Sequence, residues 1–130
     1  MIILILIILI IFSVLWLVIW SFFFKLSKDD ILLNKKAEKA FEIGNYKKAK
    51  DLFSKVIKLN NNPEAQFKLA TSCANLGKTE DAIKCFEEIL KNEPKNIDAI
   101  IALANITKKQ KNYEKALDLF NKALDEKPDN

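Results

Sequence analysis

The sequence predicts an all-α protein, a solenoid of helix pairs preceded by one transmembrane helix. Three observations carry this. A fourteen-residue pattern is written three times: GNYKKAKDLFSKVI from Gly44, GKTEDAIKCFEEIL from Gly77 and KNYEKALDLFNKAL from Lys111, with starts 33 and then 34 residues apart. A period of that size is the mark of stacked helix pairs. Ile2 to Phe24 carries no charge at all. No stretch alternates apolar and polar residues with period two, so no strands are expected.

The apolar stretch comes first. Its only polar side chains are Ser13 and Ser21. As a helix it runs roughly 34 Å, enough to cross a hydrocarbon core of about 30 Å. Trp16, Trp20 and Phe22 to Phe24 sit toward its C-terminal end, with Lys25 and Lys28 just beyond. Aromatic rings prefer that interfacial level. A cleaved signal peptide opens with positive charge and ends in small residues. Here only Met1 precedes the apolar run, and its far end is aromatic. Residues 1–24 are therefore expected to be an uncleaved, single-pass anchor, followed by a short basic linker at 25–29. The alternative is an exported or periplasmic binding protein with a cleaved signal sequence. Lys25, Lys28, Lys35, Lys36 and Lys39 all follow the span. That asymmetry places the rest of the chain in the cytoplasm. No Gly-x-x-x-Gly pairing motif lies in the span.

The remaining chain divides into 30–62, 63–96 and 97–130. From Asp30 to Ile43, Ile31, Leu32, Leu33, Ala37, Ala40, Phe41 and Ile43 recur at helical spacing. Ser27 is a candidate cap for this helix, with Asp29 and Asp30 favourable against its N-terminal dipole. Gly44-Asn45 breaks the pattern, and Tyr46 to Leu59 resumes it. After three asparagines, Pro63 stands at a first helical position with Asn62 as its cap. Helices follow at Pro63 to Leu76, Thr79 to Lys91, Ile97 to Lys109 and Tyr113 to Glu126, with Pro94 and Pro128 closing the second and third copies.

Composition removes several functions. There is no histidine and only two glycines. The commonest acid/base group and metal ligand are thus absent, and no glycine-rich phosphate loop can form. Cys73 and Cys85 match no zinc spacing and read as small buried hydrophobes. No enzyme, cofactor or metal site is expected. Net charge is +4, and all 21 basic residues are lysine. The excess lies in 25–62, beside the apolar stretch, and suits a solvated face or an anionic membrane surface. A nucleic-acid partner is not expected, because arginine and any reader motif are missing.

The order of small residue, glycine, aromatic, alanine, phenylalanine and proline resembles the tetratricopeptide repeat. Leu69, Ala70, Gly77, Ala82, Phe86 and Pro94 carry the likeness in the second copy, and Leu103, Ala104, Tyr113, Ala116, Phe120, Ala123 and Pro128 in the third. The first copy departs from it, with Lys36 in place of the leucine and a turn one residue short. The resemblance implies a right-handed superhelix of three antiparallel helix pairs. In it Ala49, Ala82 and Ala116 let backbones approach, while Phe53, Phe86 and Phe120 fill the gaps. It also implies a protein–protein interaction scaffold that holds a peptide or helix of another protein on its inner face. The matching positions are Asn34, Glu38 and Phe41, then Phe67, Thr71, Ala74 and Asn75, then Ile101, Asn105, Lys108 and Lys109. The carboxylate-gripping set of some relatives falls on Asn34, Glu38, Lys68, Asp98 and Ala102, where two acids and an alanine exclude that mode. Finally, no capping helix follows the third copy in this sequence, which leaves two readings: self-association or a membrane partner at the edge near Leu117 and Leu119, or a face that Lys122, Asp125 and Glu126 keep soluble.

Overall fold

The computed structural model describes residues 1–127; Pro128, expected to close the third copy, lies outside the described residues. Packing divides the chain into two units, Met1–Leu33 and Asn34–Asn130.

The chain opens with α1 (Ile2–Glu42), whose apolar stretch reaches a mean hydropathy of 3.6 with none of it buried. It is the one described helix long and apolar enough to cross a membrane. The Ser13 hydroxyl donates to the Ile10 carbonyl at 2.8 Å, so its polar atom is satisfied inside the helix. Residues 25–29, expected as a linker, are helical within α1. They contain no glycine or proline, and leucine and lysine are strong helix formers, so nothing there stops the helix. Ser27 accordingly caps nothing.

In the second unit the end of α1 is followed by α2 (Tyr46–Asn60), α3 (Pro63–Asn75), α4 (Thr79–Asn92), α5 (Ile97–Lys109) and α6 (Tyr113–Asp125). From α2 onward each helix packs on the next. Apart from the break expected at 25–29, every boundary agrees with the sequence reading to within one residue.

The turns inside the three pairs share one geometry. Gly44, Gly77 and Lys111 all have left-handed φ, at 75°, 73° and 62°. In each, that residue's N–H and the next one reach back to the helix end: Gly44 to Phe41 and Asn45 to Ala40, Gly77 to Ala74 and Lys78 to Cys73, Lys111 to Lys108 and Asn112 to Thr107. Last-turn carbonyls are thereby satisfied. Asn45 and Asn112 then cap α2 and α6 by accepting from Lys48 and Lys115 N–H, whereas Lys78 offers α4 no side-chain cap. Between pairs, Asn62 accepts from Glu64 and Ala65 N–H, and Asn96 from Ala99 N–H.

The repeated positions make the core. Ala49, Ala82 and Ala116 are buried, as are Phe53 and Phe86. Ala70 and Cys73 of α3, Ala82, Phe86 and Ile89 of α4, and Ala99, Leu103 and Ile106 of α5 form one cluster. A single pair could not bury this face; the next pair completes it. In the last pair the same slot is open among the described residues: Ile101, Phe120, Ala123, Leu124 and Lys127 line a cavity of about 180 Å³, and Leu124 is 63% exposed. At the other end, Lys36 and Lys39 are exposed, while their counterparts Leu103, Ser72 and Ile106 are buried. This accounts for the irregular first copy. Its helix meets no preceding pair in the structure, so lysines stand where later copies need apolar or small residues.

Burial pushes the Cys73 and Cys85 thiols up, which keeps them protonated and unreactive. Both are free.

Candidate functional site

The inner-face positions lie on α1, α3 and α5 at spacings of three and four residues, which puts them on one side of each helix. The structure sorts them into groups.

Thr71 and Asn75 of α3 and Asn105 and Lys109 of α5 come together around one cavity of about 170 Å³, with Ala74, Phe86, Ala102 and Ile106 as its apolar lining. Two of the four polar groups are partly engaged. The Thr71 hydroxyl donates to the Phe67 carbonyl at 2.9 Å, and Asn75 Nδ2 donates to the Thr71 carbonyl at 2.9 Å. Asn105 is exposed, and its amide takes part in no hydrogen bond among the described residues. Lys109 is exposed and forms no ion pair among the described residues. Lys108 is exposed beside it but does not line the cavity.

Four other expected residues do not line this cavity. Phe41 packs edge-on against Tyr46 and Phe53, with ring centroids 5.6 and 6.2 Å away. Phe67 meets Phe86 edge-on at 5.4 Å and lines a separate 220 Å³ cavity with Asn61, Pro63, Gln66, Ile89, Asn92, Glu93 and Asn96. These two aromatics are thus wedges between helices. Ile101 opens into the slot of the last pair. Glu38 is held by Lys68, whose ammonium also reaches Glu64 Oε1 at 3.0 Å. Burial alone would lower the Lys68 pKa, but the two carboxylates outweigh it and raise it. In the sequence, Lys68 stands out only as a position of the excluded carboxylate grip, and this ion pair is not expected. Its signal was the four-residue spacing from Glu64, which favours an ion pair on one helix face. Asn34, one turn before Glu38, has a buried Oδ1 that accepts no hydrogen bond among the described residues.

A family model described as tetratricopeptide repeat matches residues 40–106 and 76–130. A TPR repeat-containing protein of Methanocaldococcus jannaschii is 35% identical over 89 residues, covering 62% of this chain and 27% of its own length. The chain thus spans about a quarter of that relative. Among solved structures, a mutant of MamA superposes with a TM-score of 0.71 at 24% identity, over 78% of this chain and 74% of that one. YrrB, described as a TPR protein with an unusual peptide-binding site, gives 0.70 at 27% identity over 77% and 52%. The TPR domain of Arabidopsis OM64 gives 0.69 at 21% over 79% and 86%. The architecture is the expected one, an all-α right-handed superhelix of three antiparallel helix pairs following a long apolar helix. By its three in-register copies, their shared turns and these matches, the chain belongs to the tetratricopeptide repeat family.

Proposed function

We propose that the protein is a non-enzymatic scaffold, anchored to a membrane by the first part of α1, that holds a segment of another protein on the inner face of its helix pairs. The observation that carries this reading is the cavity shared by α3 and α5. Its floor is apolar, through Phe86, Ala102 and Ile106, and its rim is polar, through Thr71, Asn75, Asn105 and Lys109. Such a lining holds a side chain by burial and a peptide backbone by hydrogen bonds to the free amide of Asn105. The likeness to YrrB, described as having a peptide-binding site, supports a protein partner. The apolar, unburied stretch of α1 supports the anchor, and the lysines after it support a cytoplasmic location. Self-association belongs to the same reading, supported by the open slot beside Ile101 and Phe120.

The test is a photo-reactive amino acid placed at position 105 in the full chain, in its native membrane. A second chain carries it at Lys84, exposed on α4 and outside the cavity. The expected result is a discrete cross-linked protein from position 105 and none from position 84. Equal labelling from both positions removes the inner face as the binding surface.

A further inference from the structure

The inner face carries its charges in a fixed order. On α3, Glu64, Lys68, Thr71 and Asn75 follow one another at intervals of four, three and four residues, so they form a single stripe. At the α1 side of that stripe, one ammonium serves two carboxylates, since Lys68 contacts both Glu38 and Glu64. One negative charge is left over. At the C-terminal end of α5 the sign reverses, while Asp98 leaves an exposed carboxylate in its first turn. Lys109 lines the cavity and Lys108 stands beside it, neither in an ion pair among the described residues, and no carboxylate lines that cavity. Glu80 accepts a hydrogen bond from Gln110 Nε2 at 3.4 Å near the end of α5 and keeps its charge, but it does not line the cavity.

A local explanation exists for the two lysines. Cations favour the last turn of a helix through its dipole. Yet α3 ends without a lysine in its last turn and is well formed. The dipole also has no use for the free amide of Asn105 or for the cavity beneath it.

We propose that this polarity selects and orients the partner. The segment carries an aliphatic side chain for the α3–α5 cavity, an aspartate or glutamate beside it for Lys109, and a lysine or arginine toward the other end for Glu38 and Glu64. The proposal rests on the inner face being the binding surface, and it adds the chemistry and direction of what binds. Order matters as well as composition. A segment with the reverse order sets like charge against like at both ends, which costs binding energy.

The test is selection from a random-peptide display library on the full chain held in lipid nanodiscs. The expected result is enrichment of peptides with an acid next to an aliphatic residue and a base farther along, in one order. Lys109→Glu then weakens an enriched peptide about tenfold or more. Exchanging that peptide's acid for lysine restores binding to Lys109→Glu. Lys84→Glu, outside the cavity, leaves affinity unchanged. Peptides enriched without the charge order, or indifferent to Lys109→Glu, overturn the inference and leave inner-face binding intact. A selection that enriches nothing overturns both.

Discussion

Lys111 holds a φ of 62° at the turn where the first two copies place glycine. A lysine there costs roughly 1–2 kcal/mol, because its Cβ crowds the following carbonyl. A Cβ added at Gly44 or Gly77 meets nothing within 4 Å, so the demand is on the backbone angle and not on space. Lys111→Gly is therefore expected to stabilise the protein by about 0.5–1 kcal/mol, the relief of strain less the extra freedom of glycine in the unfolded chain. Urea titration of the two chains measures it, and a lower midpoint for the variant refutes it. The alignment of Lys111 with the two glycines was legible in the sequence. Its strained angle was not, since lysine by itself gives no sign of a left-handed turn. The neighbouring caps read more easily: asparagine before a helical run accepts from the first turn, as Asn45, Asn62, Asn96 and Asn112 all do.

Among the elements, α4 stands at the centre, packed on α3 before it and α5 after it. Phe86 is 1% exposed there and touches both neighbours through the shared cluster. Phe86→Ala is expected to cost roughly 3–5 kcal/mol. Phe120→Ala is expected to cost less, because its slot is open and the ring is only half-buried. Thermal unfolding of both variants against the parent checks the order; equal losses would mean the pairs do not complete each other's cores. Element boundaries were legible because prolines, glycines and asparagines punctuate every turn after Glu42. The continuity of α1 was not. Ser27 and Asp29 looked like a helix start, and the change from apolar to basic suggested a linker, but without glycine or proline in Lys25–Asp29 the helix runs through. The site was legible as a set of helix faces. Which residues meet across helices was not, because spacing along one helix cannot tell a groove residue from a wedge. Thr71, Asn75, Asn105 and Lys109 converge, while Phe41 and Phe67, on the same nominal faces, turn into aromatic contacts between helices.

For the molecule as a whole, the proposed anchor makes two checkable statements. The intact mass of the membrane-extracted protein includes Ile2 to Phe24; a mature chain starting beyond Phe24 would establish the exported alternative. A reporter active only in the cytoplasm, fused after the last residue, is active. A silent cytoplasmic fusion, with a periplasm-dependent reporter active in the same position, reverses the orientation. The two ends of the helix array also differ in kind. Lys36 and Lys39 face outward where Leu103 and Ile106 are buried, while the slot around Phe120 keeps the apolar lining that α5 covers over α4. Lengthening the array by design therefore has a direction. A duplicated helix pair spliced in after α6 finds its seat already made. The same pair spliced in before Asn34 meets ammonium groups, and takes hold only if Lys36 and Lys39 are first rewritten as the residues of the later copies.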